Sequence, residues 1–334
     1  MKPAERPTPY LAVAPAPDCL LCGTPGNRFL TGLRDQLFGV PGMWSMSACP
    51  GCGFLWLDPK PTHEDIGKAY QRYYTHADED PADRVARRPP FWRRKLRRIY
   101  RWALRRLGVI EARNRIIGMF LVGLPKGSLL EIGCGNGARL ARLASEGWQV
   151  VGQEVDPQSA DHAQTRHGVS VWVGDLVSLG FAAETFDCIL MNHVLEHLND
   201  PVGVLKECRR LLKPGGRLVA VTPNARSLGL RRFGPHWRGL EPPRHIHLFH
   251  PGTLAKAAEV AGFSHCQTFT SPAHAELFAT QSLDLHARGT TVMGEEPTWD
   301  LERQAMLFQL HEAWAFRTNP ELGEEAVLMA QREA

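Results

Sequence analysis

From Gly127 onward the chain alternates short apolar runs with amphipathic stretches. The runs "SLLEI", "QVVGQE", "VSVWV", "FDCILMN" and "RLVAVTP" are strand-length and bounded by turn residues. Between them, "ARLARLASEG", "SADHAQTRHG" and "DPVGVLKECRRLLKPGG" repeat apolar residues at helical spacing, the last with a Pro-Gly-Gly stop. This alternation predicts a doubly wound, mostly parallel α/β sheet covered on both faces. A sixth strand is expected in "AGFSHCQTFTS", helices over 273–316, and a closing strand in "GEEAVLMAQRE".

The first third reads differently. A Pro-rich leader (1–17) precedes strand-like pieces in "GMWSMSACP" and "GFLWLDP". A helix is expected over 62–74, capped by Thr62 with Glu64 and Asp65 in its first turn. An acidic link, "HADEDPAD", leads to "FWRRKLRRIYRWALRRLG", where Trp92, Leu96, Ile99, Ala103 and Leu107 recur at helical spacing and predict a docked apolar stripe. The expected organisation is a leader (1–17), a Cys-rich module (18–60), a helical linker with the basic helix (61–120) and an α/β domain (121–334). Within that domain, 226–250 reads as an acceptor-binding loop and 273–320 as a helical insertion.

Cysteine spacing changes the picture of the module. Cys19 and Cys22 in "CLLC" and Cys49 and Cys52 in "CPGC" form two C-x-x-C pairs, the pattern of a four-thiolate structural zinc site, while the other four cysteines are scattered. The glycines after Cys22 and Cys52 permit the tight turns such knuckles need. Hydrophobic residues at 43% and charged ones at 22% are those of an ordinary globular protein. With no signal-peptide core and no uncharged apolar run near 20 residues, the expected location is the cytoplasm.

The charge is uneven: eleven Lys or Arg and no Asp or Glu lie between Arg84 and Arg106, so the remainder is net acidic. A basic helix with aromatics either docks with its arginines solvated, or meets an anionic membrane or lipid-linked phosphate at the inner membrane face. Nucleic acid is disfavoured because no nucleic-acid motif accompanies it.

In a doubly wound sheet the ligand lies beyond the carboxyl ends of the strands, where strand order reverses. "EIGCGNG", "QEVD", "GDL" and "NHVLEHL" all fall there. Gly133, Gly135 and Gly137 let the backbone approach a ligand. Glu131 stands where an acid repels pyrophosphate but suits an amino-bearing ligand. Glu154 ends the second strand, where a carboxylate accepts from ribose hydroxyls. The H-x-x-E-H of His193, Glu196 and His197 has the spacing of inverted zinc proteases, but a strand end without a hydrolase scaffold is the wrong place for one.

Together "LLEIGCGNG", "GQEVDP", "GDL", "FDCILMNHVLEHLNDP" and "LLKPGGRLVAVTPN" resemble a class I S-adenosylmethionine-dependent methyltransferase, with its Rossmann-like seven-stranded sheet. "CPGCGFLWLDPKPTHEDIGKAYQRYY" and "FGPHWRGLEPPRHIHLFHPGTLAKAAEVAGF" resemble a subgroup that carries an N-terminal zinc module and often acts on sugars or glycan precursors. Deoxysugar C-methyltransferases of similar arrangement have a long extra C-terminal domain; its absence favours a hydroxyl acceptor.

The resemblance implies that Glu131, Gly133, Cys134, Gly135 and Gly137 meet the amino-acid end of the cofactor. It places Glu154 and Val155 at the ribose, Gly174, Asp175 and Leu176 at the adenine, and Asn192 and His193 at the sulfonium. Ubiquinone-pathway O-methyltransferases carry E-x-x-E-H at the matching place for a divalent cation, which makes His193, Glu196 and His197 a candidate cation site. A hydroxyl acceptor needs a base, for which His245 is the first expectation and His197 the second, with His193 lining the same space. The expected function is methyl transfer to a hydroxyl of a sugar, glycan precursor or related small metabolite. The alternative is a cofactor-sensing scaffold that docks nucleic acid or membrane through the zinc module and basic helix.

Overall fold

The computed structural model describes residues 10–70, 90–291 and 296–333. The N-terminal region forms β1 (Val13–Ala14), β2 (Asn27–Leu33), β3 (Trp44–Ala48), β4 (Leu55–Leu57) and β5 (Lys60–Pro61). The described part of the expected leader is built into this region: Leu11 is buried, and β1 pairs antiparallel with β5. Of the helix expected over 62–74, a single 3-10 turn spans Ile66–Tyr70; residues 71–74 and the acidic link lie outside the described residues.

Two helices follow, α1 (Phe91–Arg106) and α2 (Val109–Ile117); Arg84, Arg87 and Arg88 of the basic run lie outside the described residues. The stripe predicted to dock does so only at its ends, where Leu107 packs on the neighbouring apolar cluster and the Trp92 ring meets Trp299 edge-on at 5.1 Å. Trp92, Leu96 and Ile99 are exposed, whereas Tyr100 and Leu104 pack with Val109 and Ala313. The docked face is the one whose polar groups find partners: Tyr100 donates to Glu276 Oε2 at 2.9 Å and Arg97 Nε to Glu302 Oε1 at 2.8 Å.

The α/β elements are β6 (Ser128–Ile132), α3 (Ala138–Ser145), β7 (Gln149–Glu154), α4 (Pro157–His167), β8 (Val171–Val173) and β9 (Phe186–Asn192). Then come α5 (Pro201–Leu211), β10 (Leu212–Pro223), α6 (Leu228–Phe233), β11 (His247–Leu248), α7 (Pro251–Val260) and β12 (His265–Ser271). The chain closes with α8 (Ala275–Arg288), α9 (Trp299–Phe316) and β13 (Glu325–Gln331). Local chemistry sets the ends of several helices. Asp156 caps α4 by accepting from Gln158 and Ser159 amides, with Pro157 at the first turn and left-handed Gly168 at the end. The Pro-Gly-Gly expected as a helix stop instead belongs to an irregular start of β10, where the register with β9 slips between Leu212 and Arg217.

Seven strands form one sheet in the order β12-β13-β10-β9-β6-β7-β8, parallel except for β13, which is antiparallel to both neighbours. This is the expected doubly wound α/β fold. Strand order reverses between β6 and β9, so their carboxyl ends flank the crevice where such sheets take ligands. The closing strand and the helices α8 and α9 fall where the apolar pattern put them.

A second sheet, β11-β4-β3-β2, is completed by a strand from the far side of the sequence. β11 lies inside the 226–250 segment and pairs antiparallel with β4. The segment is thus a seam between the two sheets: Trp237, Arg244, His245, His247 and His250 are all buried. Arg244 makes a two-pronged ion pair with Asp35 at 2.8 and 2.9 Å, and its Nε donates to Glu241 at 2.8 Å. Among the described residues no helix is long and apolar enough to cross a membrane.

Candidate active site

At the end of β6, Gly133, Gly135 and Gly137 all take left-handed backbone conformations, at φ 62°, 54° and 75°. A Cβ on Gly133 would meet Val194 at 2.6 Å and one on Gly137 would meet Ala163 at 2.6 Å, so close packing as well as backbone sign demands glycine there. At Gly135 a Cβ would point into open space, the free surface a ligand would cover. Glu154, buried, holds this loop: Oε2 accepts from the Gly135 amide at 2.9 Å, and Oε1 from Val155 and Asp156 at 2.8 and 3.1 Å. A carboxylate has about four acceptor positions, so capacity remains for hydroxyl donors. Gln153, unremarked in the sequence, ties the loops together by accepting from Gly133 and donating to the Gly174 carbonyl.

Glu131 is buried, and burial pushes its carboxyl up in pKa against the pull of Arg139, which donates to Oε1 at 2.6 Å. Its Oε2 has no hydrogen-bond partner. A buried carboxylate oxygen left unpaired is costly, and a cationic ammonium would satisfy it. Val155, Asp175 and Val177 stand exposed, while Leu176 is buried. The acidic pair and the open glycine turn therefore fit S-adenosylmethionine, which carries both an ammonium and ribose hydroxyls. Cys134 is buried beneath the loop.

On the other side of the switch point, Asn192 ends β9 and His193 follows with φ 55°, an uncommon conformation for a residue with a side chain. Its amide is held by the Val221 carbonyl at 2.8 Å. The ring lies between two buried carboxylates, Nδ1 at 3.2 Å from Glu196 Oε1 and Nε2 at 3.1 Å from Glu325 Oε1. Burial works to lower its pKa, but the two carboxylates outweigh it and raise the value to about 10, and His193 in turn pulls Glu196 and Glu325 down to about 2. His193 is therefore an imidazolium at neutral pH, and both nitrogens are committed donors.

Glu325 reaches further. Its Oε2 accepts from His274 Nδ1 at 2.8 Å, and the His274 side chain is 28% exposed. Because a carboxylate only accepts, Nδ1 of His274 carries the proton when the ring is neutral, and Nε2 is left as a lone pair. Among the described residues Nε2 has no hydrogen-bond partner. Phe278 closes the floor, tilted on His193 at 6.4 Å and stacked on Trp237 at 6.0 Å. Neither His274 nor Glu325 carried any signal in the sequence: one sits in an apolar helical stretch, the other in a strand.

Of the histidines expected as bases, His245 lies deeper, while His197 is half-buried as His193 and His274 are. His245 is 4% exposed; its Nδ1 meets the Gly239 carbonyl at 2.7 Å and burial lowers its pKa to about 4. His197 is held between Tyr70 Oη at 2.8 Å and the Arg244 carbonyl at 3.2 Å, with its pKa lowered by burial. The candidate cation set also changes. The groups within 4.8 Å of one another are Glu196, His197 and His245, whereas His193 has turned to the two carboxylates.

The four module cysteines converge. Cys19–Cys52, Cys22–Cys49 and Cys22–Cys52 sulfurs lie 3.6, 3.4 and 3.8 Å apart. Two matching knuckles build the cluster: Gly23 and Gly53, both left-handed, donate to the Cys19 and Cys49 carbonyls. Tetrahedral zinc–sulfur bonds of about 2.3 Å put sulfurs about 3.8 Å apart, so the set fits one zinc. His250 fastens this cluster to the larger sheet, bridging the Cys52 carbonyl at 2.9 Å and the Gly252 amide at 3.1 Å at the start of α7.

Comparison with known proteins decides the family. A model described as a methyltransferase domain matches residues 86–268, more than half of the chain. The chain belongs to this methyltransferase family. It is 38% identical over 111 residues to an uncharacterised transposon-borne protein of Streptomyces fradiae, covering 31% of this chain and 32% of that one. Over 117 residues it is 34% identical to a ubiquinone biosynthesis O-methyltransferase of Cereibacter sphaeroides, covering 33% and 47%. Over 136 residues it is 30% identical to a probable S-adenosylmethionine-dependent methyltransferase of Mycolicibacterium smegmatis, covering 40% and 51%. The chain thus spans about a third to a half of the length of these curated relatives.

Proposed function

We propose that this protein transfers a methyl group from S-adenosylmethionine to a hydroxyl of a small acceptor, a sugar, glycan precursor or related metabolite, and that Cys19, Cys22, Cys49 and Cys52 hold a structural zinc. The observation that carries the reading is the pairing, across one switch point, of an open glycine turn flanked by buried acids with a half-exposed imidazole held by a buried carboxylate. The O-methyltransferase relative supports a hydroxyl acceptor. The sugar class rests on the resemblance of the N-terminal and 226–250 segments.

When bound, S-adenosylmethionine supplies a methyl on an already activated sulfonium. The protein's own work is then positioning and proton removal. Glu131 and Glu154 orient the cofactor, and the net negative charge of Glu196, His193 and Glu325 favours a cationic centre nearby. His274 Nε2 takes the acceptor proton while Glu325 fixes the ring and stabilises the imidazolium formed. His274 replaces His245 and His197 as the proposed base because it presents a lone pair at the surface. His193, already protonated, positions Glu325 and Glu196.

Calorimetric titration of the purified protein with S-adenosylmethionine and S-adenosylhomocysteine, with NAD as control and metal content measured on the same sample, tests both parts. Binding of the first two, no binding of NAD and one zinc per chain are expected. A folded sample that binds neither would overturn the transferase reading, and a folded sample without bound metal would overturn the zinc reading.

A further inference from the structure

Helix α1 carries a long basic run without acidic residues, and part of it lines a solvent-open groove. The groove, about 880 Å³, is lined by Arg94, Lys95, Arg97, Arg98, Arg101 and Arg113, with Tyr100, Glu276 and Glu302 in its walls. Six cations face two carboxylates there. Glu302 pairs with Arg97 at 2.5 Å and Glu276 with Arg113 at 3.0 Å, which leaves Arg94, Lys95, Arg98 and Arg101 without a carboxylate among the described residues.

The spacing of these four is informative. Arg94, Arg98 and Arg101 stand at i, i+4 and i+7, one face of a helix, and at 1.5 Å rise per residue they span roughly 10 Å. A solvated helix face normally interleaves acids at that spacing, because like charges four apart repel. This row has none. Guanidinium groups in a line match the oxygens of adjacent phosphates, which they bind in two-pronged fashion.

The far wall ties the groove to the candidate active site. Arg113 donates to the Ala273 carbonyl at 2.7 Å and to Glu276 at 3.0 Å, and Glu276 also receives Tyr100. The groove wall and the proposed base are therefore neighbours on one short segment, 273–276. Nothing in the glycine-loop site uses these cations.

We propose that the groove between α1 and the start of α8 binds the phosphate groups of the methyl acceptor, and that the acceptor is a phosphate ester or diphosphate whose free hydroxyl reaches His274. The proposal rests on the transferase reading above and narrows its substrate class. Arg94, Arg98 and Arg101 grip the phosphates, while Arg113, fixed by Glu276 and Gln309, shapes the wall on the active-site side.

The test is titration of the full-length protein with inorganic pyrophosphate at two salt concentrations, alongside the triple variant R94Q/R98Q/R101Q and binding of S-adenosylhomocysteine to both. The wild type should bind pyrophosphate with an affinity that falls as salt rises. The variant should bind it at least tenfold more weakly, with a shallower salt dependence, and bind S-adenosylhomocysteine as the wild type does. Equal pyrophosphate affinity in the variant overturns the proposal. So does a folded wild type that binds S-adenosylhomocysteine but not pyrophosphate, an outcome that leaves the transferase reading standing. A third arm uses phosphatidylglycerol vesicles with phosphatidylcholine vesicles as control. Binding to the anionic vesicles without any pyrophosphate binding would make α1 a membrane contact and also overturn the acceptor site.

Discussion

Two buried clusters in this molecule are made of the same parts, histidine, carboxylate and a cation, and they behave in opposite ways. At the seam, Asp35, Glu241, Arg238, Arg244 and His245 lie buried or nearly so, and Glu241 binds both arginines. At the sheet edge, Glu196 and Glu325 are as deeply buried, yet the rings of His193 and His274 that they hold are 30% and 28% exposed. The difference separates a fastener from a candidate for chemistry. His245 is enclosed by the seam, whereas the rings of His193 and His274, though held from behind by carboxylates, keep a partly exposed face.

The largest expected effect is on the seam. Arg244→Ala leaves Asp35 and Glu241 buried with one partner removed, and should cost about 3–5 kcal/mol in urea unfolding. A loss under about 1 kcal/mol would show that the seam does not fasten the two sheets. Next comes the edge: His274→Gln should lower turnover by about 10²- to 10⁴-fold while S-adenosylhomocysteine affinity and unfolding midpoint stay near wild type. Wild-type turnover in that variant would remove His274 from the reaction.

His245→Gln supplies the converse. It should destabilise by about 1–3 kcal/mol, the cost of an unpaired buried group, and leave turnover per folded molecule unchanged. Loss of turnover at full stability would restore His245 as base and collapse the distinction between the clusters.

The remaining prediction, read from the shape of a curve, concerns pH. His193 has a folded pKa raised to about 10 from 6.5, so its stabilisation is complete below about pH 6.5 and is lost as pH climbs toward 10. His245 is lowered to about 4, so the folded state refuses a proton that the unfolded chain accepts; its stabilisation is complete above about 6.5 and is lost as pH falls toward 4. Unfolding free energy measured against pH should therefore lose its alkaline slope in His193→Gln and part of its acid slope in His245→Gln. An identical slope change in both variants would contradict the assignment.

What the sequence disclosed follows the same division. The glycine turn, Glu131, Glu154 and the cysteine knuckles were legible because their geometry is set within a few residues by backbone sign and spacing. Strand order followed from the alternation of apolar runs. Asp35 and Arg244 are 209 positions apart, and His193 and Glu325 are 132 apart. No local period links such pairs; only the sheet brings them together. The stripe on α1 was read only in part for a related reason: apolar spacing picks out Leu96 and Ile99, which stay exposed, but the docked face was decided by partners on α8 and α9 for Tyr100 and Arg97.

The borrowed strand β11 also has a consequence in time. A ribosome releases the cysteine knuckles before the larger sheet, and all four cysteines of the cluster are present once Cys52 emerges. The little sheet, however, stays one strand short, and Asp35 lacks its arginine, until nearly two hundred further residues have been made. A region made before the larger sheet is therefore finished after most of it, and its completion waits on the arrival of the segment that sews the two together.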